Sequence, residues 1–254
     1  MVTHYSKGSE SFSDVAIANQ AQYAERYGYS HDVFEGHISG DAFLDTNSGD
    51  IHSVKGGGLF WQKYAAIQEL LQKRVISGNR AENRCDWVLW MDSDAIVTNQ
   101  TKSLPEIIEI ALRNSDGIYE DKDIILASEE THLLNSGVIF VRNTVSGNAF
   151  INAAAATYPL FKDADLPDQI AISNLVFLAE PYSSHSAGSE LKTRVHPRAA
   201  VVRQRLFNAF TNGTSEEVKW QVGDFIAHLA GTARDQRADI MRAALAESAA
   251  HGLL

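Results

Sequence analysis

Apolar positions along this chain follow two alternating rhythms: short runs that read as strands and longer stretches at helical spacing. Met1-Val2-Thr3-His4-Tyr5 is a short β-leaning opening, and Ser6 to Ser13 reads as a polar loop. A helix is predicted from Asp14, as its N-cap, to Tyr27, with Gly28 closing it. Tyr29 to Phe34 reads as a second strand. Residues 35–58 are rich in Gly, Asp, Ser and His and read as a long loop, of a length that usually serves function in a compact domain. Phe60, Tyr64, Ile67 and Leu71 then recur at helical spacing.

Trp87-Val88-Leu89-Trp90-Met91 is continuously apolar and stops sharply at Asp92, the pattern of a central parallel strand covered on both faces. Ser103-Leu104-Pro105-Glu106 is a capping box with proline in the first turn, followed by Ile107, Ile108, Ala111 and Leu112 on one side. Ile124 to Ala127 and Val138 to Val141 read as further strands, and Asp165 to Gln169 opens another helix. Val222 to Leu229 is mixed. Thr232 to Asp235 reads as a second capping box before an Ala-rich helix over about 233–250. Strands alternating with helices imply an α/β fold, a central mostly parallel sheet flanked by helices. The 254 residues suit one domain spanning 1–254.

Charge changes the picture little but excludes one class. The formal net charge of -10 argues against a nucleic-acid partner. An acidic protein still binds a nucleotide diphosphate when a cation stands between carboxylates and phosphates. Cys85 is the single cysteine, so no internal disulfide forms. No apolar run approaches the ~20 residues that span a bilayer, and no signal peptide is visible, so the expectation is a cytoplasmic protein without an integral membrane segment. The alternative is a luminal domain, which the sequons Asn99-Gln100-Thr101 and Asn212-Gly213-Thr214 would suit.

The candidate chemistry begins at Asp92-Ser93-Asp94. Two carboxylates at the end of a central strand stand where open α/β sheets bind ligands. They offer hard oxygens to Mg²⁺ or Mn²⁺ and leave room for substrate phosphates. A solvated turn is the plainer reading of a bare Asp-x-Asp, but charge set directly after a five-residue apolar run is costly. Lys63 could reach a phosphate, although a solvated helix lysine is the commoner outcome. Asn135-Ser136-Gly137 reads equally as a turn entering a strand or as an amide placed on a donor sugar. Asp168 reads as a helix-start acid or as a group beside the reacting sugar. Glu129, Glu130 and His132 read as a surface turn, and Phe207 to Phe210 could line an acceptor groove.

An ordered set of motifs resembles glycosyltransferase family 34, which holds α-mannosyl-, α-galactosyl- and α-xylosyltransferases. It comprises Val2-Thr3, Asn19 to Ala24, Tyr27-Gly28-Tyr29, Phe60-Trp61-Gln62-Lys63, Trp87 to Ala95, Leu134 to Val138 with Val141-Arg142-Asn143, Asp168-Gln169, Phe207-Asn208 and Gly223 to Gly231. The resemblance implies a GT-A fold and a retaining, metal-dependent transfer from a UDP- or GDP-sugar to a saccharide or other hydroxyl acceptor. The implied metal is Mn²⁺, with Mg²⁺ as the alternative. By the same resemblance Asp92, Asp94 and His228 hold the metal, and Asp168 and Gln169 are catalytic, on the sugar side and away from the metal. Thr3, Lys63, Asp92, Ser93, Asn135, Ser136, Gly137 and Gly231 bind the donor. Departures are Thr144 to Gly147 in place of a Trp-bearing segment, Pro167 in place of an acid, and Arg234 where some members carry lysine. Glycogenin-like enzymes, a sugar-nucleotide-binding protein without transfer activity and a metal-dependent phosphohydrolase are the rival readings.

Overall fold

The alternating rhythms become alternating layers. The computed structural model describes residues 1–5, 9–36, 57–76, 85–113, 121–130, 132–179 and 193–254. In chain order the elements are β1 (Val2–Tyr5), α1 (Glu10–Tyr27), β2 (Asp32–Glu35), α2 (Gly57–Ile76), β3 (Trp87–Met91), β4 (Ala95–Val97), α3 (Leu104–Arg113), β5 (Ile124–Ser128), β6 (Leu134–Arg142), α4 (Val145–Ala156), α5 (Tyr158–Phe161), α6 (Pro167–Val176), β7 (Phe177–Ala179), β8 (Thr193–Val195), β9 (Ala199–Val202), β10 (Ala209–Phe210), β11 (Ile226–His228) and α7 (Arg234–Ala250). The loop read over 35–58 lies largely outside the described residues.

The main sheet has the order β2-β1-β3-β6-β5-β9. Its β1–β2, β1–β3 and β5–β9 pairings are parallel, while β6 runs antiparallel to both neighbours. The expected mostly parallel sheet is therefore present, with one reversed strand. Alternation along β3 sends Val88 and Trp90 into one core with Trp61, Tyr64, Ile67 and Leu71 of α2. Leu89 and Met91 enter the other, with Tyr23, Ile107, Phe140 and Phe225. Both faces are covered, which is why Trp87 to Met91 lacks a polar phase. A smaller sheet, β10-β11-β4, packs against α1 and α7 through Phe12, Ile96, Ala227, Leu229 and Met241.

Several boundaries differ from the sequence reading. Helix α1 starts a turn earlier than Asp14, because Phe12 is buried in the third core and Ser9 accepts from the Ser13 amide at 3.0 Å. Gly28 closes it in the left-handed region at φ 68°, where glycine carries no Cβ penalty. The capping box at Ser103 forms, with the Ser103 amide donating to Glu106 at 2.7 Å. The one read at Thr232 does not: the N-cap is Ala233, and the buried Thr232 hydroxyl is unpartnered. The Thr232 carbonyl faces α7 instead and accepts from Arg237 Nε at 2.9 Å. Asn99 is buried with its amide on the Gly223 carbonyl, so that sequon is not a free surface loop, whereas Asn212 is exposed at the rim of a cleft. No helix among the described residues is long and apolar enough to cross a membrane.

Candidate metal and sugar site

Strand register, rather than any single loop, assembles the site. Asp92 leaves the main sheet with its amide donating to the Gly137 carbonyl at 2.8 Å. Three residues on, the chain enters the small sheet, where Ala95 pairs with His228 and the Leu229 amide donates to the Asp94 carbonyl at 3.0 Å. Asp94 thus stands beside His228, 134 positions later in sequence. Across the main sheet, Leu126 pairs with Ile139 but the next residue, Ala127, pairs with Asn135. The intervening Ser136, Gly137 and Val138 form a bulge in β6 that re-aims the strand. Asn135-Ser136-Gly137 is therefore a bulge within β6 and not a turn leading into it.

The ligand atoms of Asp92, Asp94 and His228 all lie within 4.8 Å of one another. His228 Nε2 is 3.2 Å from Asp94 Oδ1, and Arg237 holds the other oxygen, Oδ2, at 2.8 Å. Asp92 Oδ1 accepts from Trp90 Nε1 at 2.7 Å and lies 3.5 Å from Lys63 Nζ. Gly137 makes the approach of the histidine feasible: a Cβ there would overlap the imidazole and fall 2.9 Å from Asn135 Oδ1. Two carboxylates and an imidazole converging beside a glycine cradle fit a divalent cation of the Mg²⁺ or Mn²⁺ kind.

The second half of the site faces it across the same cleft, about 760 Å³ in volume. Lys63 projects from α2 and is 4% exposed, not solvated. Its ammonium lies 2.6 Å from Asp168 Oδ2 and donates to the Ser136 carbonyl at 3.0 Å. Asp168 Oδ2 also accepts from the Ser136 hydroxyl at 2.7 Å. Asp168 sits in the first turn of α6, but its partners are a lysine and a serine, not helix amides. One lysine therefore reaches both Asp168 and Asp92 and ties the two halves of the site together. Gln169 Oε1 accepts from the Ser136 amide at 3.2 Å, and its Nε2 donates to Glu129 at 3.3 Å.

Electrostatics divides these groups. Burial raises the Asp92 pKa, and Lys63 offsets this only in part. Burial also works against ionised Asp94, but His228 and Arg237 outweigh it and hold that carboxyl below the usual range. The same pairing holds His228 above its ordinary value despite burial. Lys63 is likewise raised, since Asp168 and Asp92 outweigh its desolvation. Asp94 is 8% exposed, so its pairs with His228 and Arg237 are internal.

Of the residues expected at the site, Lys63, Asp92, Ser93, Asp94, Asn135, Ser136, Gly137, Asp168, Gln169, His228 and Gly231 all line the cleft. Thr3 does not. It is fully buried one turn of pleat inside β1, and His4 and Tyr5 reach the wall in its place. Phe207 is core, T-shaped against Phe140, whereas Phe210 lines the cleft. Glu129 is not a loose surface acid: its side chain is 9% exposed and accepts from Asn135 and Gln169. Arg237 escaped the sequence reading, although a basic residue near the start of a helix, against the dipole, is a signal of another duty.

A sequence model of the galactosyl transferase GMA12/MNN10 family matches residues 2–239. The chain belongs to this family. The relatives it resembles include a probable α-1,2-galactosyltransferase, gmh2, of Schizosaccharomyces pombe, 24% identical over 265 aligned residues covering 93% of this chain and 65% of that protein. An α-1,2-galactosyltransferase of the same yeast is 23% identical over 71% of this chain and 49% of its own length. The chain thus spans between about half and two-thirds of these relatives. Among solved structures, a glycosyltransferase involved in glycosylation of the major capsid of PBCV-1 superposes with a TM-score of 0.64 at 18% identity, covering 95% of this chain and 98% of that one. The galactosyltransferase LgtC, solved with donor and acceptor sugar analogs, gives 0.50 at 12% identity, covering 97% and 95%. These likenesses establish for this family member the GT-A fold expected from the sequence.

Proposed function

We propose that this chain is a retaining, metal-dependent glycosyltransferase that moves a hexose from a UDP- or GDP-sugar to a hydroxyl of a saccharide or similar acceptor. The names of its relatives favour galactose as the sugar. The observation that carries the reading is the convergence of Asp92, Asp94 and His228 with Lys63, Asp168 and Gln169 on one cleft. A binding module has little use for a buried lysine strung between two carboxylates at a metal cluster.

In this reading Asp92, Asp94 and His228 hold Mn²⁺ or Mg²⁺, which when bound neutralises charge developing on the diphosphate. Arg234, exposed on the cleft at the start of α7, and the N-terminus of that helix suit the phosphates. Lys63 fixes the Asp168 carboxylate beside Ser136, so its negative charge is in place before a cationic sugar centre develops. Gln169, pinned by the Ser136 amide, presents its carboxamide to the same space. Phe60, 45% exposed, and Phe210 give the cleft apolar faces on which a pyranose can lie. A panel of UDP- and GDP-hexoses with saccharide acceptors, run with Mn²⁺ and with chelator, tests the proposal. Metal-dependent transfer with an α-linked product is expected. Binding without turnover for every donor would overturn it.

A further inference from the structure

The side-chain amides between the two halves of the cleft form a relay whose direction is readable from its anchors. Backbone N–H groups donate and cannot accept. The Ser136 amide donates to Gln169 Oε1 and the Gly137 amide donates to Asn135 Oδ1 at 2.8 Å, so both carboxamides have their oxygens identified. Glu129, which accepts when ionised, receives Asn135 Nδ2 at 3.0 Å and Gln169 Nε2 at 3.3 Å and agrees with both. Asn135 Oδ1 in turn faces Asn208 at 2.8 Å, so Asn208 presents its NH₂ there. Its remaining oxygen, Oδ1, is left for His228 Nδ1 at 2.8 Å. An oxygen accepts, so Nδ1 donates. Asn208 is fully buried and His228 is 2% exposed, so water does not compete for either atom.

We propose that Asn208 is a positioning residue that fixes the tautomer of His228, keeping the proton on Nδ1 and directing the Nε2 lone pair toward the divalent cation. The inference rests on His228 being a metal ligand, as proposed above. Asp94 Oδ1, 3.2 Å from Nε2, draws the proton the other way when no cation is bound, and the shorter Asn208 contact opposes it. Turning the imidazole to its other tautomer sets a bare Nδ1 against Asn208 Oδ1 in a buried site. Flipping Asn208 to compensate sets its oxygen against Asn135 Oδ1, which the Gly137 amide pins. Each escape moves the mismatch one residue along, until it reaches a backbone group that cannot turn. Metal-ligating histidines depend on such a partner behind the ring for their orientation and tautomer. Here that partner also joins the metal side to Gln169 on the sugar side.

Two-bond ¹H–¹⁵N correlation spectra of histidine-labelled protein, in chelator at alkaline pH, report the tautomer directly. The expected spectrum has a protonated Nδ1 and an unprotonated Nε2 for His228. A wild-type His228 protonated on Nε2 and bare on Nδ1 overturns the inference. Asn208→Leu should scramble the tautomer and lower Mn²⁺ affinity by calorimetry about 10- to 100-fold. If the leucine variant does not fold, Asn208→Ala, which removes both contacts without adding bulk, takes its place in the same two measurements. Unchanged tautomer and Mn²⁺ affinity in Asn208→Leu would leave Asn208 a packing residue and overturn the inference. The metal assignment fails separately: if Mn²⁺ leaves the His228 signals of the wild type unbroadened, the cation sits elsewhere, whatever the tautomer.

Discussion

Asp92 and Asp94 are two residues apart, and the structure gives them opposite surroundings. Asp94 is clamped between His228 and Arg237 and held in its charged form. Asp92 is about a third exposed, leans on Trp90 and the more distant Lys63, and has its charged form disfavoured by burial. The difference follows from topology. Asp94 belongs to the junction with the small sheet, where β11 and α7 bring two basic groups to it. Asp92 belongs to the edge of the main sheet, where the basic group arrives on α2 and is shared with Asp168. One carboxylate is thus built into the fold, and the other is left for a ligand to complete.

The largest effect is expected at Asp94. Asp94→Asn should reduce metal-dependent transfer by at least about 10²-fold, the scale of losing one electrostatic stabiliser. It should also destabilise the metal-free protein by on the order of 3 kcal/mol, since a broken buried pair leaves its partners uncompensated. Denaturant melts in chelator, beside transfer assays, check both. A variant that loses activity and keeps its full stability would mean that the Arg237 and His228 contacts are incidental.

Next in size is the Lys63–Asp168 pair, which a double-mutant cycle can break. Asp168→Asn should lower turnover about 10²-fold with donor affinity little changed. Lys63→Met should destabilise by on the order of 3 kcal/mol, as Asp168 is then buried and unpaired. The double variant should regain much of that stability, because a neutral pair carries no buried charge, and regain none of the turnover. Recovery of both, measured by melting and by donor kinetics, would make the pair structural and leave the chemistry to the metal half alone.

Much of this arrangement was legible in the sequence, for reasons that are local. The apolar run ending at Asp92 marks a strand covered on both faces, and Asp92-Ser93-Asp94 therefore marks a sheet edge. Gly28 and the Ser103 box announce helix ends because their physics lies within four residues. What the sequence hid is nonlocal. The length of α1 depends on Phe12 finding a core shared with α7. Lys63 reads as a solvated helix lysine until α6 supplies Asp168. Glu129 reads as a surface acid until the β6 bulge swings Asn135 toward it. The failed box at Thr232 shows the converse: the right residue types cap nothing when the helix starts one residue late, after Ala233, and the Thr232 amide is already held by the Leu229 carbonyl.

The smallest predicted effect is the sharpest test of the comparison, because it has an unexpected sign. In the metal-free protein the Asp92 carboxyl has a folded-state pKa above its ordinary value of 3.8, so folding disfavours its ionised form. Above the folded value the unfolded chain is ionised freely while the native state bears a penalty, and that penalty disappears as pH falls through the folded value toward 3.8. Asn carries no such penalty, yet its side-chain oxygen still accepts from Trp90. Asp92→Asn should therefore melt slightly above wild type at neutral pH in chelator, by no more than about 1 kcal/mol given the partial exposure of the site. The gap should close in mild acid. Asp94 has the opposite linkage: its pKa is depressed, so its contribution is present above 3.8 and is lost only as pH falls through the lower folded value. Asp94→Asn should accordingly melt below wild type at neutral pH and converge with it only in strong acid. Melting curves of the three proteins across pH, all without metal, read both slopes at once. If Asp92→Asn instead melts below wild type at neutral pH by as much as Asp94→Asn does, the two carboxylates are electrostatically alike and the asymmetry drawn from their neighbours is wrong.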